Sequence, residues 1–139
     1  MQACVKWVDG AQFLAEAGSG HSLVIDGPPE GGGRNMGMRP MELILLGTAG
    51  CTAYDVVSIL KKSRQPITDC RVEVNAERSE EIPKVFTHIH LHYVVSGKGL
   101  SESSVARAIQ LTSEKYCSAS IMLAKAVEIT HDYEIIEAA

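Results

Sequence analysis

The chain has 139 residues, a length typical of one domain, and its 45% hydrophobic content is ordinary for a globular protein. Its formal net charge is −4, and it has no basic run, which argues against nucleic-acid binding. The N-terminal residues MQACVKWVDG lack the apolar core of a signal peptide. We therefore expect a single cytoplasmic domain over residues 1–139, with its four cysteines reduced.

The first quarter of the chain alternates apolar and polar residues in short runs. This pattern predicts strands over 3–9, 12–17 and 21–26, separated by turns at Asp9-Gly10 and at 18–20. The next stretch, 27–39, contains two prolines and five glycines and has no phosphate-binding motif. We expect it to be a mobile surface loop.

A long apolar helix is predicted to begin at Pro40 and to end near Lys62, before Pro66. Apolar and small residues at alternating spacings of three and four define one packing seam: Leu43, Leu46, Gly50, Ala53, Val57 and Leu60. The run 43–60 reaches the lower limit for a membrane-spanning helix. Because it contains Asp55, the hydroxyl side chains of Thr48, Thr52 and Ser58, and two glycines, we favour a buried central helix, especially one at a dimer interface.

The second half of the chain predicts strands over 69–78 and 84–96, a helix that begins at Ser101 or Ser103, and a last strand over 127–136. The helix extends to about residue 126, with a break near 116–118. The resulting order is β-β-β-α-β-β-α-β. This order indicates an α+β fold with antiparallel sheets and two long helices.

Two cysteines lie near the middles of the two predicted helices, Cys51 among small and polar neighbours and Cys117 near Ser113, Glu114 and Ser120. A lone helical cysteine is usually an inert small hydrophobe. If the helices pack together, however, the two sulfurs can meet. One thiolate then attacks an oxidant, and the other resolves the resulting sulfenic acid as a disulfide.

The stretches PMELILLGTAGCTAYDVVSIL and EKYCSASIMLAKAVEIT, with the later DYEI, resemble the OsmC/Ohr family of osmotically inducible and organic hydroperoxide resistance proteins. The resemblance is closest to the YhfA-like branch and covers nearly the whole chain. It implies an OsmC-like fold built as an intertwined homodimer, with active sites at the subunit interface, and a role in oxidative stress.

The resemblance also implies a thiol peroxidase that reduces organic hydroperoxides. Residue by residue, Cys51 matches the peroxidatic cysteine and Cys117 the resolving cysteine. Cys51 attacks the peroxide, its sulfenic acid condenses with Cys117, and a dithiol reductant reopens the disulfide. Neither a cofactor nor a bound metal is expected.

Two positions depart from the family pattern. The peroxidase branches place a glutamate ten residues before the first cysteine, where it holds an arginine over the thiol. Met41 stands at that position here, and Glu42, our third candidate site residue, is one residue and about 100° farther round the helix. The segment 21–26 carries no arginine, so Arg34 and Arg39 of the loop are the available substitutes.

Two other functions stay open. The first is a ligand-binding or redox-sensing protein of the same fold, which the missing arginine and Met41 favour. The second is metal binding by His88, His90 and His92, which share one face of a predicted strand. Because alternate strand residues lie roughly 7 Å apart, a polar solvent-facing stripe is the preferred interpretation. Cys4 and Cys70 are interpreted as packing residues of strands.

Overall fold

The computed structural model describes all residues 1–139, and the chain divides into two compact units, Met1–Leu45 and Leu46–Ala139. One long helix, α1 (Pro40–Lys62), begins in the first unit and continues into the second. Both units contain a three-stranded sheet. The α+β fold class predicted from the sequence is thereby confirmed.

The sheet of the first unit contains β1 (Ala3–Asp9), β2 (Gln12–Ala17) and β3 (Ser22–Ile25) in that order, with antiparallel pairing throughout. Gly10, with a φ of +55°, supplies the left-handed turn between β1 and β2. Trp7 lies opposite Phe13 but remains 63% exposed. A sheet that leaves such a side chain in solvent has an apolar surface still to be covered.

The glycine-rich loop after β3 is ordered by one carboxylate. Asp26, which is 2% exposed, accepts hydrogen bonds from the backbone N–H groups of Gly27, Arg34 and Met36 at 2.7, 3.2 and 3.1 Å. Burial alone would raise the pKa of Asp26, but these three donors lower it below its ordinary value. The predicted surface loop is therefore present, and it is wrapped around one anionic side chain.

Only one residue on the buried side of helix α1, Leu60, belongs to the seam predicted from the sequence. Thr48, Thr52, Val56 and Leu60, each four residues from the next, form the buried stripe. Most of the predicted seam lies outside that stripe, and Leu46 is 51% exposed. The apolar pattern alone misplaced the buried face because two threonines occupy it.

Helix α1 is long and apolar enough to cross a membrane by length and composition, with a mean hydropathy of 1.7 over its best 18-residue window. Only 22% of that window is buried within the chain. A helix with this much exposed apolar surface needs a cover that one chain does not provide. Gly47 and Gly50 face open space, so another backbone can approach closely there.

The sheet of the second unit contains β4 (Ile67–Arg78), β5 (Phe86–Gly97) and β6 (Glu128–Glu137), with β5 in the centre. Strands β4 and β5 pair antiparallel, but β5 and β6 pair parallel. The sequence predicted antiparallel sheets. A helical segment connects β5 to β6. It is long enough to carry the chain back along the sheet, so that β6 runs in the same direction as β5.

That connection consists of α2 (Glu102–Leu111), a π-helical turn (Thr112–Tyr116) and α3 (Ser118–Leu123). The Ser101 side chain caps α2 by accepting a hydrogen bond from the Ser104 N–H at 3.3 Å. The break expected near 116–118 is present. The core of this unit contains fully buried side chains from α2 and β5: Val105, Ile109, Ile89, Tyr93 and Val95.

Candidate functional site

The second unit brings three reactive side chains together. The sulfurs of Cys51 and Cys117 and a carboxylate oxygen of Asp55 all lie within 4.8 Å of one another. Cys51 and Asp55 are half-buried, whereas Cys117 is 0% exposed. The two thiols that the sequence singled out are therefore neighbours in space.

Local structure explains this placement. Cys51 and Asp55 are four residues apart on α1, so their side chains share one face of the helix. Cys117 interrupts the second helical segment with an extended backbone, φ −73° and ψ 101°, and its N–H donates to the Thr112 carbonyl at 2.8 Å. The π-helical turn thus ends directly before Cys117, the residue that faces α1. Short π-helical turns are frequent at functional sites.

The environment of Cys117 disfavours its thiolate. Burial is the main cause that raises the pKa of the Cys117 thiol, and the neighbouring Cys51 raises it further. Hydrogen bonding to Ser120 acts in the opposite direction, since the Ser120 N–H donates to the Cys117 sulfur at 3.4 Å. The net pKa is above the ordinary value, so the Cys117 thiol is a poor attacking group at neutral pH.

Two hydroxyl groups lie in the buried layer between α1 and β5. The hydroxyl oxygens of Thr52 and Tyr93 are 2.5 Å apart, and both residues are 0% exposed. Burial raises the pKa of Tyr93, and the nearby Cys117 and Asp55 raise it further. The hydrogen bond with Thr52 lowers the pKa, but the net change is an increase. Tyr93 therefore stays a neutral hydroxyl close to the thiol pair.

Asp55 is the site residue that sequence reasoning did not select as a candidate. Its Oδ2 atom is buried and has no hydrogen-bond partner. A buried carboxylate oxygen without a partner is costly, and native proteins rarely keep one without a functional reason. The available signal was its position four residues after Cys51.

A cleft of about 340 Å³ reaches Asp55 from the surface. Its wall includes Ile59, Leu111 and Tyr116, and Lys62 lies at its polar side. A second cleft, of about 540 Å³, follows the exposed side of α1 past Gly50. Both volumes fall within or near the range of small-molecule sites.

Glu42 and the loop arginines, Arg34 and Arg39, form hydrogen bonds or an ion pair with other residues of the first unit. The Glu42 carboxylate accepts a hydrogen bond from the Arg39 backbone N–H at 2.8 Å, which caps the start of α1. The Arg39 guanidinium donates to Asn35 and Gly37. Arg34 pairs with Asp9 at 2.8 Å, through side chains that are 68% and 62% exposed. An ion pair this exposed holds its arginine weakly.

The histidine stripe of β5 is joined to β6 by a ladder of hydrogen bonds. The hydroxyl of Thr130 lies 2.8 Å from His88 and 2.7 Å from His90, and Asp132 lies 2.9 Å from His90 and 2.6 Å from His92. The half-buried imidazoles thus have hydrogen-bond partners on the neighbouring strand. No three ligand atoms of this stripe come close together; only Cys51, Asp55 and Cys117 do so.

The two remaining cysteines lie apart from this cluster. Cys4 is exposed on β1, so it is not the packing residue that the sequence predicted. Cys70 is half-buried on β4, and burial raises the pKa of its thiol. All four cysteines are free thiols, which leaves Cys51 and Cys117 as the pair that can react with each other.

Comparison with known proteins establishes the family of this chain. The sequence model of the family described as OsmC-like protein matches residues 31–132. Protein YhfA of Escherichia coli K12 is 51% identical to this chain over 141 residues, covering 99% of the chain and all of that protein. The chain belongs to the OsmC-like family.

Solved structures confirm the OsmC-like fold. A hypothetical protein from Aquifex aeolicus superposes with a TM-score of 0.87 at 28% identity, covering 99% of this chain and 97% of that one. The organic hydroperoxide resistance protein OhrB of Bacillus subtilis superposes with a TM-score of 0.65 at 19% identity, covering 96% of this chain and 98% of that one. At that identity the OhrB likeness shows the fold alone.

Proposed function

We propose that this OsmC-like protein is a thiol peroxidase that reduces organic hydroperoxides through Cys51 and Cys117. The observation that carries the proposal is the proximity of the two thiols, within 4.8 Å, with one half-buried and the other fully buried. An attacking thiol must be reached by the peroxide, whereas a resolving thiol needs only to reach its partner. Their different exposure supports the assignment of Cys51 as attacker and Cys117 as resolver.

The reaction consists of three balanced steps. The Cys51 thiolate attacks the terminal peroxide oxygen, the O–O bond breaks, and protonation of the departing alkoxide gives an alcohol. The Cys51 sulfenic acid then condenses with the Cys117 thiol to form a disulfide and one water molecule. A dithiol reductant returns both cysteines to thiols and leaves as its own disulfide.

Asp55 has two tasks in this mechanism. Its unpartnered Oδ2 atom belongs to a carboxylate near both sulfurs, so it accepts the proton that Cys51 loses. It then returns a proton to the departing alkoxide.

An apolar hydroperoxide is the substrate class that the cleft favours. The cleft at Asp55 is walled by the side chains of Ile59, Leu111 and Tyr116, and its lining is mostly apolar. An alkyl or aromatic group can therefore lie against these residues while the peroxide end lies toward Asp55, the cluster residue that lines the cleft. Lys62 at the cleft offers a cation to a substrate that carries a carboxylate.

We further propose a cytoplasmic homodimer. The exposed face of α1 includes Leu46 and Tyr54, which are 51% and 76% exposed, beside glycines that face open space. A second α1 laid against this face would cover the apolar surface that one chain leaves in solvent. A reducing compartment also suits a chain with four free thiols.

The decisive assay is cumene hydroperoxide consumption by the purified protein, with dithiothreitol or a lipoylated protein as reductant. Cys51→Ser should abolish turnover, and Cys117→Ser should slow it, because the reductant must then reach the Cys51 sulfenic acid directly. Cys4→Ser and Cys70→Ser are matched controls, since neither thiol is in the cluster. Turnover that survives Cys51→Ser, or none in the unaltered protein, would overturn the proposal.

A non-catalytic ligand-binding function is the second candidate. It is favoured by Met41, which replaces the glutamate of the peroxidase branches, and by the cleft of about 540 Å³ along α1. For this function, small apolar ligands should raise the melting temperature of the protein while no hydroperoxide is consumed. Hydroperoxide turnover that Cys51→Ser abolishes would exclude it.

A further inference from the structure

We infer that Cys51, Asp55 and Cys117 form a binding site for Zn²⁺ in the reduced protein. This goes beyond the proposed peroxidase and departs from the sequence expectation of no metal. The three ligand atoms lie within 4.8 Å of one another. In a tetrahedral zinc site with bonds of about 2.3 Å, two sulfurs lie about 3.8 Å apart, so the ligands need to move by only about 1 Å.

The spacing on the two elements is suited to a metal ion. Cys51 and Asp55 offer two ligands from one face of α1, because residues four apart on a helix are neighbours. Cys117 offers the third from the break between the π-helical turn and α3. Two ligands at this spacing with a third from another element is a common way to hold zinc.

The charge and hydrogen bonding of the cluster favour a cation. The buried Asp55 Oδ2 atom lacks a partner in the chain, and a bound metal would satisfy it. Two thiolates and a carboxylate this close repel one another unless a divalent ion lies between them. Two sulfurs and one carboxylate oxygen suit Zn²⁺ better than Mg²⁺ or Ca²⁺, which prefer oxygen ligands alone.

Three protein ligands leave one tetrahedral position for water or another small ligand. The cleft of about 340 Å³ that reaches Asp55 provides access for the ion and for that ligand. The histidine stripe is not the metal site in this account, because its imidazoles are joined to Thr130 and Asp132 by hydrogen bonds.

Metal binding and disulfide formation exclude each other at these thiols. Two metal-bound thiolates, one hydroperoxide and two protons give a disulfide, an alcohol, one water molecule and the free metal ion. The hydroperoxide gains the two electrons that the sulfurs lose. This consequence rests on the proposed function, but the metal site itself does not.

Cobalt is the probe that tests the site, because thiolate–Co²⁺ charge transfer reports sulfur ligands directly. The reduced, metal-free protein in a non-thiol reductant should bind one Co²⁺ per chain with a sulfur-to-cobalt band, and Zn²⁺ should displace it. Cys51→Ser and Cys117→Ser should each remove about half of the band or all of it. Asp55→Asn should weaken Zn²⁺ binding by at least about tenfold, since even outer-shell partners cost that much.

Cys4→Ser, Cys70→Ser and His90→Asn are the matched controls, and circular dichroism verifies that each variant folds. The inference is overturned if the charge-transfer band is absent, if it survives both cluster cysteine variants, or if zinc affinity follows a control variant. Failure of peroxide turnover with an intact cobalt band would reject the peroxidase and keep the metal site. Peroxide turnover without the cobalt band would reject the metal site and keep the peroxidase.

Discussion

The hydroxyl of Thr52 lies 2.5 Å from the hydroxyl of Tyr93, with both side chains fully buried. Thr52 belongs to the buried stripe of α1, and Tyr93 is on the central strand of the second sheet. Each group satisfies the other where no water reaches. This hydrogen bond fixes the helix next to Cys51 against the sheet, so it sets the position of the attacking thiol.

Thr52→Val should therefore destabilise the protein. Valine keeps the shape of threonine but leaves the buried Tyr93 hydroxyl without its partner, which costs about 1–3 kcal/mol. Urea unfolding, followed by circular dichroism, measures the change.

The Thr52→Val/Tyr93→Phe double variant is the control for this prediction. Because it removes both hydroxyls, its free energy of unfolding should lie above the value expected from adding the two single losses. Strict additivity would show that the hydrogen bond does not link helix and sheet.

The Asp132 carboxylate should stabilise the protein over a limited pH range. Its hydrogen bond with His92 raises the pKa of that imidazole. The hydrogen bonds of His92 and His90 in turn lower the pKa of Asp132. The raised His92 pKa gives stability that is complete below about pH 6.5 and lost as pH rises through the folded value. The lowered Asp132 pKa gives stability that is present above about pH 3.9 and lost as pH falls through the folded value.

Asp132→Asn should thus lower the melting temperature most between about pH 4 and pH 6.5, and less above that range. Melting curves across this range, compared with those of the control Glu128→Gln on the same strand, measure the effect. A loss that grows at alkaline pH would contradict the assignment of His92 as the cationic partner.

Tyr54→Glu should dissociate the proposed dimer. Tyr54 is 76% exposed in the single chain, so a carboxylate there leaves the fold intact but places a charge in an apolar interface. Light scattering after size exclusion should give the mass of one chain instead of two.

The matched control is Asn75→Glu, which adds the same charge at an exposed position of β4. It should stay dimeric. Dissociation of both variants, or of neither, would argue against α1 as the interface.

Asp26→Ala should loosen the glycine-rich loop. The change removes the acceptor of the Gly27, Arg34 and Met36 amides, so their hydrogen exchange should accelerate by on the order of tenfold. Asp9→Ala, which breaks only the exposed Arg34 ion pair, should leave these amides protected. Equal effects of the two variants would show that the side-chain pair, and not Asp26, orders the loop.

The sequence predicts the elements of this fold well, because each has a local signal. The break in the second helical segment falls where Cys117 interrupts it, and the first three strands follow their alternation closely. The parallel pairing of β6 has no local signal, since it depends on where a helical connection returns the chain.

The candidate site was predictable in part. Two helical cysteines with polar neighbours indicated Cys51 and Cys117, and a spacing of four residues was the only signal for Asp55. Thr52 and Tyr93 are 41 residues apart, so their hydrogen bond cannot be inferred from periodicity. The buried face of α1 was misplaced for the same reason, because a threonine can be buried when a distant residue satisfies its hydroxyl.

The most direct test of the central claim is mass spectrometry of the reduced protein after one equivalent of cumene hydroperoxide. We predict a Cys51–Cys117 disulfide in the unaltered chain and a trappable sulfenic acid on Cys51 in Cys117→Ser. Cys4 and Cys70 should stay reduced on that timescale. Oxidation that begins at Cys117, or that spreads equally over all four cysteines, would contradict the account.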